Sequence, residues 1–251
     1  MNHTYSYTQL SQFRQCPYAY YLERIYRDEN GDKLEQQGNP FSENGSLVHD
    51  LLDKWAKHEM AADKLAEEYV RRYPDEVVSP FPAFMKGQYE KLMAKGEYYF
   101  QMFDEFAGKE IVSTEHKFKT DLCGRKFTGI IDMVVTQDDK LIVLDHKSKS
   151  LSSFRKSEQD MYRQLYLYAD YVKKWLGRYP DELMFNLFNE CGLLKSKPFD
   201  KAEFDECVRW ADETMTMIEN ATDLDYMDVK PDQFFCQNLC SVRDYCEEGK
   251  K

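Results

Sequence analysis

The sequence predicts an α/β fold: a mixed central sheet flanked by helices, a helical insertion before the sheet, and a cysteine cluster near the end of the chain. Three observations carry this. Apolar residues recur at helical spacing up to about residue 107 and then switch to strand-like, β-branched runs. The order of elements is helices, then β-β-β-α-β, then a helix, which suits a single domain over residues 1–251 with an insertion at 50–107. Three of the seven cysteines stand in "FFCQNLCSVRDYC", from Phe234 to Cys246.

The first segment, "YSYTQLSQFRQCPYAYYLERIY", reads as a Ser/Thr-capped helix in which Pro17 makes a kink or starts a new helix. "NGSLVHDLLDKWAKH" is a second helix with Val48, Leu51, Leu52 and Trp55 as its apolar stripe. The stretch 60–107 is helical and is interrupted by the proline-rich "YPDEVVSPFP". "IVSTEHKF", "RKFTGIIDMVVT" and "KLIVLDHK" then read as three strands, with "TQDDK" as the hairpin turn between the last two. "SEQDMYRQLYLYADYVKKWLG" is a long helix ended by Gly177. "ELMFNLFNE" is a strand with which "GLLKSKPF" can pair, and "DKAEFDECVRWADETMTMIENA" is the last helix.

The composition, 42% hydrophobic and 15% aromatic, can build a sizeable core. No apolar run reaches the roughly 18 residues of a membrane span, and the start lacks a signal-peptide pattern. A cytoplasmic location with reduced thiols is therefore expected, so the cysteines read as buried thiols and metal ligands. The net charge of −11 argues against broad, nonspecific attraction to nucleic acid. It leaves room for a local basic groove, and Lys140, Lys147, Lys149, Arg155, Lys156 and Arg163 cluster in one stretch.

The hairpin carries the chemistry. If its turn centres between Asp138 and Asp139, Asp132 lies opposite Asp145, with Cβ atoms roughly 4.5–5.5 Å apart. Two carboxylates that close repel unless a cation or a proton intervenes. Strand alternation puts Lys147 on the face of Asp145. Oxygen donors so arranged suit Mg²⁺ or Mn²⁺, which would polarise a phosphate and acidify a water. Lys147 would orient the nucleophile or stabilise developing charge. D-x-K alone is a weak pattern, and a solvated hairpin would look the same.

The surrounding motifs add to this. "GIIDMVV" and "LIVLDHKS" resemble the core of the PD-(D/E)xK nucleases in their RecB-like branch, which has G-x-x-D on one strand and D-x-K on the next. Ile131 replaces the nominal proline before Asp132. "GSLVH" matches the branch's upstream G-x-x-x-H with Gly45 and His49, and "QLYLY" matches its downstream Q-x-x-x-Y with Gln164 and Tyr168. The resemblance spans nearly the whole chain and implies a restriction-endonuclease-like core. It implies that His49, Asp132, Asp145 and the backbone carbonyl of His146 hold the catalytic cation. By the same resemblance Lys147 is the catalytic lysine, Gln164 and Tyr168 border the site, and Glu115 stands behind the ligands.

The cysteines Cys236, Cys240 and Cys246 need a fourth partner for a four-thiolate site. Cys16, Cys123, Cys191 and Cys207 are the candidates. A sub-branch of the RecB-like nucleases carries a [4Fe–4S] cluster. It includes the AddB-type subunit and the CRISPR-associated adaptation exonuclease, and its first ligand lies in a segment that "SYTQLSQFRQCPYAYYL" resembles. That resemblance implies Cys16, with Zn²⁺ as the alternative occupant. The usual spacing is C-x2-C-x5-C, whereas the first gap here is x3. The cluster would act as a staple between residue 16 and residues 236–246.

The resemblance implies a metal-dependent DNA exonuclease acting on single strands or ends, in recombination, repair, CRISPR adaptation or phage DNA processing in a bacterial, archaeal or phage-infected cell. No P-loop occurs, so the chain carries no helicase motor of its own and reads either as a stand-alone nuclease or as one that works with a helicase, recombinase or integrase partner; a homo-oligomeric ring fits the fold. Phe154, Tyr162, Tyr166 and Tyr168 are expected to offer stacking platforms for unpaired bases. The rival readings are a non-catalytic DNA-binding subunit and an iron–sulfur structural or redox protein.

Overall fold

A computed structural model describes residues 3–251. In chain order, β1 (Thr4–Tyr5) leads to α1 (Tyr7–Gln15), α2 (Pro17–Arg24), α3 (Pro40–Ala56), α4 (Leu65–Glu76) and α5 (Gln88–Gln101). The strands β2 (Glu110–Leu122), β3 (Arg125–Gln137) and β4 (Lys140–Lys147) follow, then α6 (Leu151–Lys156) and α7 (Glu158–Leu176). Next come β5 (Glu182–Leu187), β6 (Leu193–Pro198) and α8 (Lys201–Asn220). The short helices α9 (Asp223–Tyr226), α10 (Gln233–Asn238) and α11 (Glu247–Lys250) close the chain. None of the described helices is long and apolar enough to cross a membrane.

The chain divides into two compact units. One comprises Pro40–Thr120 and Thr128–Cys207 and holds most of the sheet. Here β4 pairs with β3 antiparallel and with β5 parallel, and β5 pairs with β6 antiparallel. This mixed α/β sheet is what the sequence predicted. The β3–β4 register runs from Met133 opposite Leu144 to Gln137 opposite Lys140. Its turn residues Asp138 and Asp139 both have positive φ, as a two-residue type I′ hairpin requires. One step beyond Met133–Leu144, Asp132 comes opposite Asp145.

The core of this unit joins Leu47, Val48, Leu51 and Leu52 of α3 to Tyr69, Tyr73, Tyr99 and Phe100 of α4 and α5 and to Met133, Ile142 and Leu144 of the sheet. The apolar residues of α3 fall at helical spacing on one side. That leaves a neighbouring i, i+4 row, Gly45, His49 and Asp53, free to line a cleft. On α7, Gly177 ends the helix with φ 79°, as expected of a glycine C-cap.

The other unit comprises the segment up to Asn39, Asp121–Phe127 and Val208–Lys251. Its two ends of sequence, far apart along the chain, pack on one another. Ser6 caps α1 by accepting from the Gln9 amide, and Pro17 occupies the first turn of α2, so the proline starts a new helix. Residues Thr4 and Tyr5 pair in parallel with Lys126 and Phe127. Arg125, just past the Cys123–Gly124 turn, ion-pairs with Asp212 at 2.6 Å and Glu219 at 2.8 Å on α8.

Candidate active site

The site is assembled from three strands and two helices of the sheet-bearing unit. His49 comes from α3, Glu115 from β2, Asp132 from β3, Asp145 and Lys147 from β4, and Gln164 and Tyr168 from α7. His49 Nδ1 lies 3.5 Å from Glu115 Oε1 and 3.6 Å from Asp132 Oδ2, and its Nε2 is 3.0 Å from the His146 carbonyl oxygen. Ligand atoms of His49, Glu115 and Asp132 lie within 4.8 Å of one another. Asp132 Oδ2 also accepts from the His146 amide at 2.8 Å, which fixes the carboxylate across the hairpin.

Lys147 Nζ stands 2.8 Å from Asp145 Oδ2 and donates to Gln164 Oε1 at 3.2 Å. Gln164 Nε2 in turn donates to the Tyr168 hydroxyl at 3.1 Å. The Lys147 ammonium thus pairs with a carboxylate that is almost wholly buried, a group that is costly to bury without a cation beside it.

Glu115 reaches the cluster through a local kink. Its φ is +43°, a left-handed value on an otherwise extended strand, and the Thr114 hydroxyl beside it donates to the Asp132 carbonyl at 3.2 Å. The sequence placed Glu115 behind the ligands. The structure brings it as close to His49 as Asp132 is. Strand alternation could not have shown this, because the aim of Glu115 depends on one residue's departure from extended backbone.

Electrostatics follow from burial. Desolvation alone would lower the His49 pKa, but Asp132, Glu115 and Asp145 outweigh it and raise it to about 9. Burial lifts the Asp145 carboxyl to about 6, with the Asp132 charge adding and Lys147 opposing. Burial also raises Asp132, against the pull of His49 and Lys147. The buried His146 is pushed well below the usual imidazole range by desolvation. Its neutral ring contacts Asn186 Nδ2 at 3.0 Å, and the same amide donates to Tyr99 at 2.8 Å. His49 and Lys147 are thus the two cationic groups set against these carboxylates.

The donor set fits a hard divalent cation. It offers the carboxylates of Asp132, Asp145 and Glu115, the His146 carbonyl and one imidazole, which suits Mg²⁺ or Mn²⁺. An open cleft of about 660 Å³ leads to it, lined by His49, Glu115, Lys117 and Lys147 among others.

The expected stacking platforms are not there. Phe154, Tyr162, Tyr166 and Tyr168 are all buried. Phe154 and Tyr162 pack edge-on against Phe185 at 5.2 and 5.0 Å, and Tyr166 packs against Phe199 at 5.6 Å. An amphipathic helix on a sheet uses its large rings as core, and α7 does so.

The four proposed cluster cysteines fall together in the other unit. Cys16, Cys236, Cys240 and Cys246 line one small cavity, walled also by Ala19, Leu22 and Val242. Burial raises the Cys240 thiol to about 11, and the nearby Cys16 and Cys236 thiols push in the same direction. Cys236 stands on α10 and Cys240 just after it, so a short helical turn accommodates the extra residue between them. Four soft sulfur donors around one cavity suit an iron–sulfur cluster or zinc. Of the other cysteines, Cys123 and Cys191 are exposed and Cys207 is half-buried with its thiol raised to about 11 by burial.

A family model described as the PD-(D/E)XK nuclease superfamily matches residues 4–247. Among solved structures, that of a candidate exonuclease from Eubacterium rectale is similar over 97% of this chain and 88% of that one, with a TM-score of 0.53 at 14% identity. That likeness is one of fold. The structure of SSO0001 aligns over 96% of each chain at 15% identity, with a TM-score of 0.31. No curated protein matches the sequence.

Proposed function

The chain belongs to the PD-(D/E)XK nuclease superfamily, and from that premise we propose that it is a Mg²⁺- or Mn²⁺-dependent deoxyribonuclease of the RecB-like branch. One observation carries the reading. His49, Glu115 and Asp132, from three separated segments, lie within ligand distance of each other, Lys147 is paired to Asp145, and Gln164 reaches Lys147 from α7. Solvated surface acids would not require this burial.

In this reading His49, Glu115, Asp132, Asp145 and the His146 carbonyl hold the cation. When bound, it supplies Lewis-acid polarisation of the scissile phosphate and neutralises its charge. The chain's own residues do the rest. Asp132 is fixed by the His146 amide, so the hairpin presents its two carboxylates at a set separation. Lys147 is steadied by Asp145 and Gln164, which places its ammonium to orient the attacking water or to meet charge developing on the phosphoryl oxygens. Tyr168 holds the Gln164 amide and is itself locked in the core.

The substrate is DNA, taken as single strands or ends. That preference rests on the family resemblance, since Phe154, Tyr162, Tyr166 and Tyr168 are core residues and offer no stacking platform. Cys16, Cys236, Cys240 and Cys246 are proposed to hold a [4Fe–4S] cluster that ties residue 16 to residues 236–246, a reading supported by the cavity they share. Work on duplex DNA is assigned to a separate helicase partner.

The test is cleavage of labelled linear and circular DNA, single- and double-stranded, with EDTA, Mg²⁺ or Mn²⁺. Metal-dependent loss of linear single strands that Lys147→Ala abolishes is the expected result. Hydrolysis that persists unchanged in Lys147→Ala would sink the mechanism.

A further inference from the structure

Two glycines stand in the site's motifs, and the fold explains only one of them. A Cβ on Gly129 would lie 2.8 Å from the rings of Phe118 and Tyr168, so packing excludes any side chain there. A Cβ on Gly45 would meet nothing within 4 Å. Gly45 has no left-handed backbone that would call for glycine either. It sits well inside the 17-residue α3, where glycine is among the least favourable residues and alanine the best. Nothing within the described chain accounts for the residue.

Its position does. Gly45 lies one turn before His49 on the same helix face, and both line the cleft that holds Lys117 and Lys147. On that face Ser42 and Ser46 are small, and Phe41, one turn before Gly45, lines the cleft as well. At the inner end of the same site, the buried Asp145 Oδ2 has the Lys147 ammonium 2.8 Å away. The bare patch of helix therefore adjoins a charged site made for a ligand.

We propose that Gly45 is a substrate-positioning residue: the sugar–phosphate backbone of the DNA strand, at the nucleotide next to the scissile phosphate, passes in van der Waals contact with its Cα. A methyl group there would occupy the strand's place and nothing of the protein's. This rests on the nuclease reading above. It adds where the strand runs, along α3 between Gly45 and the lysines.

Gly45→Ala and Gly45→Leu test it. Binding of a fluorescent single-stranded oligonucleotide is read by anisotropy in a Lys147→Ala background, so that the strand stays intact. Cleavage is read in the otherwise native chain, and thermal midpoints are taken for all. The expected result is a Kd and a KM raised about tenfold or more for Ala, and further for Leu, with the Gly45→Ala midpoint unchanged or higher. Unaltered Kd and KM in both variants would overturn the proposal while native cleavage leaves the nuclease reading standing. A lowered midpoint for Gly45→Ala would also overturn it, because the glycine would then serve the fold. A native chain that neither binds nor cleaves DNA overturns both.

Discussion

The ring of Tyr168 lies so close over Gly129 that a Cβ built on the glycine would stand 2.8 Å from it. Tyr168 in turn accepts the Gln164 amide, and Gln164 accepts from Lys147. The glycine of one motif thus sets the position of the lysine of another. Gly129→Ala must move the Tyr168 or Phe118 ring, at a cost of about 1–3 kcal/mol. The expected variant melts at a lower temperature and loses kcat more than it changes KM. A folded Gly129→Ala protein with native kcat would show that the Tyr168–Gln164 chain does not position Lys147.

Lys147 neutralises a buried carboxylate in the metal-free protein. Lys147→Ala removes the ammonium and leaves Asp145 without it, so stability in EDTA should fall by on the order of 3 kcal/mol. Bound Mg²⁺ should restore part of that loss. Cleavage should fall by about 10²–10³-fold even with saturating Mg²⁺. Calorimetric Mg²⁺ binding and single-turnover cleavage separate the two roles. A variant that loses Mg²⁺ binding along with cleavage would place Lys147 in the metal site and not at the phosphate.

Protons and metal compete for the same cluster. Burial favours a neutral His49, but the carboxylates of Asp132, Glu115 and Asp145 raise its pKa from 6.5 to about 9. Burial lifts Asp145 from 3.8 to about 6. In both groups the folded chain keeps a proton that the unfolded chain has lost. For Asp145 this holds between about pH 4 and 6, and for His49 between about pH 6.5 and 9. The metal-free protein should therefore lose stability as pH rises through these windows, and the rise in melting temperature on adding Mg²⁺ should grow with pH. Thermal scans in EDTA and in Mg²⁺ at pH 6.5 and pH 9 decide it. A Mg²⁺ shift that shrinks with pH would contradict the assignment.

Much of this site was legible in the sequence because its parts follow local rules. The Asp138–Asp139 turn fixed the hairpin register, and with it the pairing of Asp132 with Asp145 one step beyond Met133–Leu144. His49 was legible from helical spacing beside the apolar stripe of α3. What failed was whatever depended on tertiary context. The spacing of α7 shows that one face is buried but not that the face takes Tyr162 and Tyr166 with it, so rings of the core look available as stacking platforms in the sequence. The two residues of β1 and the four of α9 are too few for periodicity to register. The close approach of segments before Asn39 to those after Val208 has no signal in local pattern beyond the cysteines themselves.

The cysteine cavity predicts a division among the seven thiols. Cys16→Ala, Cys236→Ala, Cys240→Ala and Cys246→Ala should each lose iron and the broad absorbance near roughly 400 nm after anaerobic purification. Each should also melt earlier if, as proposed, the cluster joins the first and last segments of its unit. Cys123, Cys191 and Cys207 do not line the cavity, and their alanine variants should keep both iron and absorbance. One equivalent of zinc without iron in the native protein would replace the cluster with a zinc site.

Glu115 offers the sharpest separation between a ligand and a supporting residue. Its backbone holds φ +43° on a strand, a conformation disfavoured for glutamate, and its carboxylate lies 3.5 Å from His49. A residue that only oriented His49 could be replaced by glutamine, which keeps an acceptor oxygen at the same reach. A ligand needs the charge. Glu115→Gln should therefore lower Mn²⁺ affinity by about 10–100-fold, measured by calorimetry or by the electron paramagnetic signal of free Mn²⁺. It should also lower the pKa of His49 in the metal-free protein, because one of the carboxylates that raises it is gone. An NMR titration of the His49 ring reads that shift. Native Mn²⁺ affinity together with a lowered His49 pKa would return Glu115 to a supporting role.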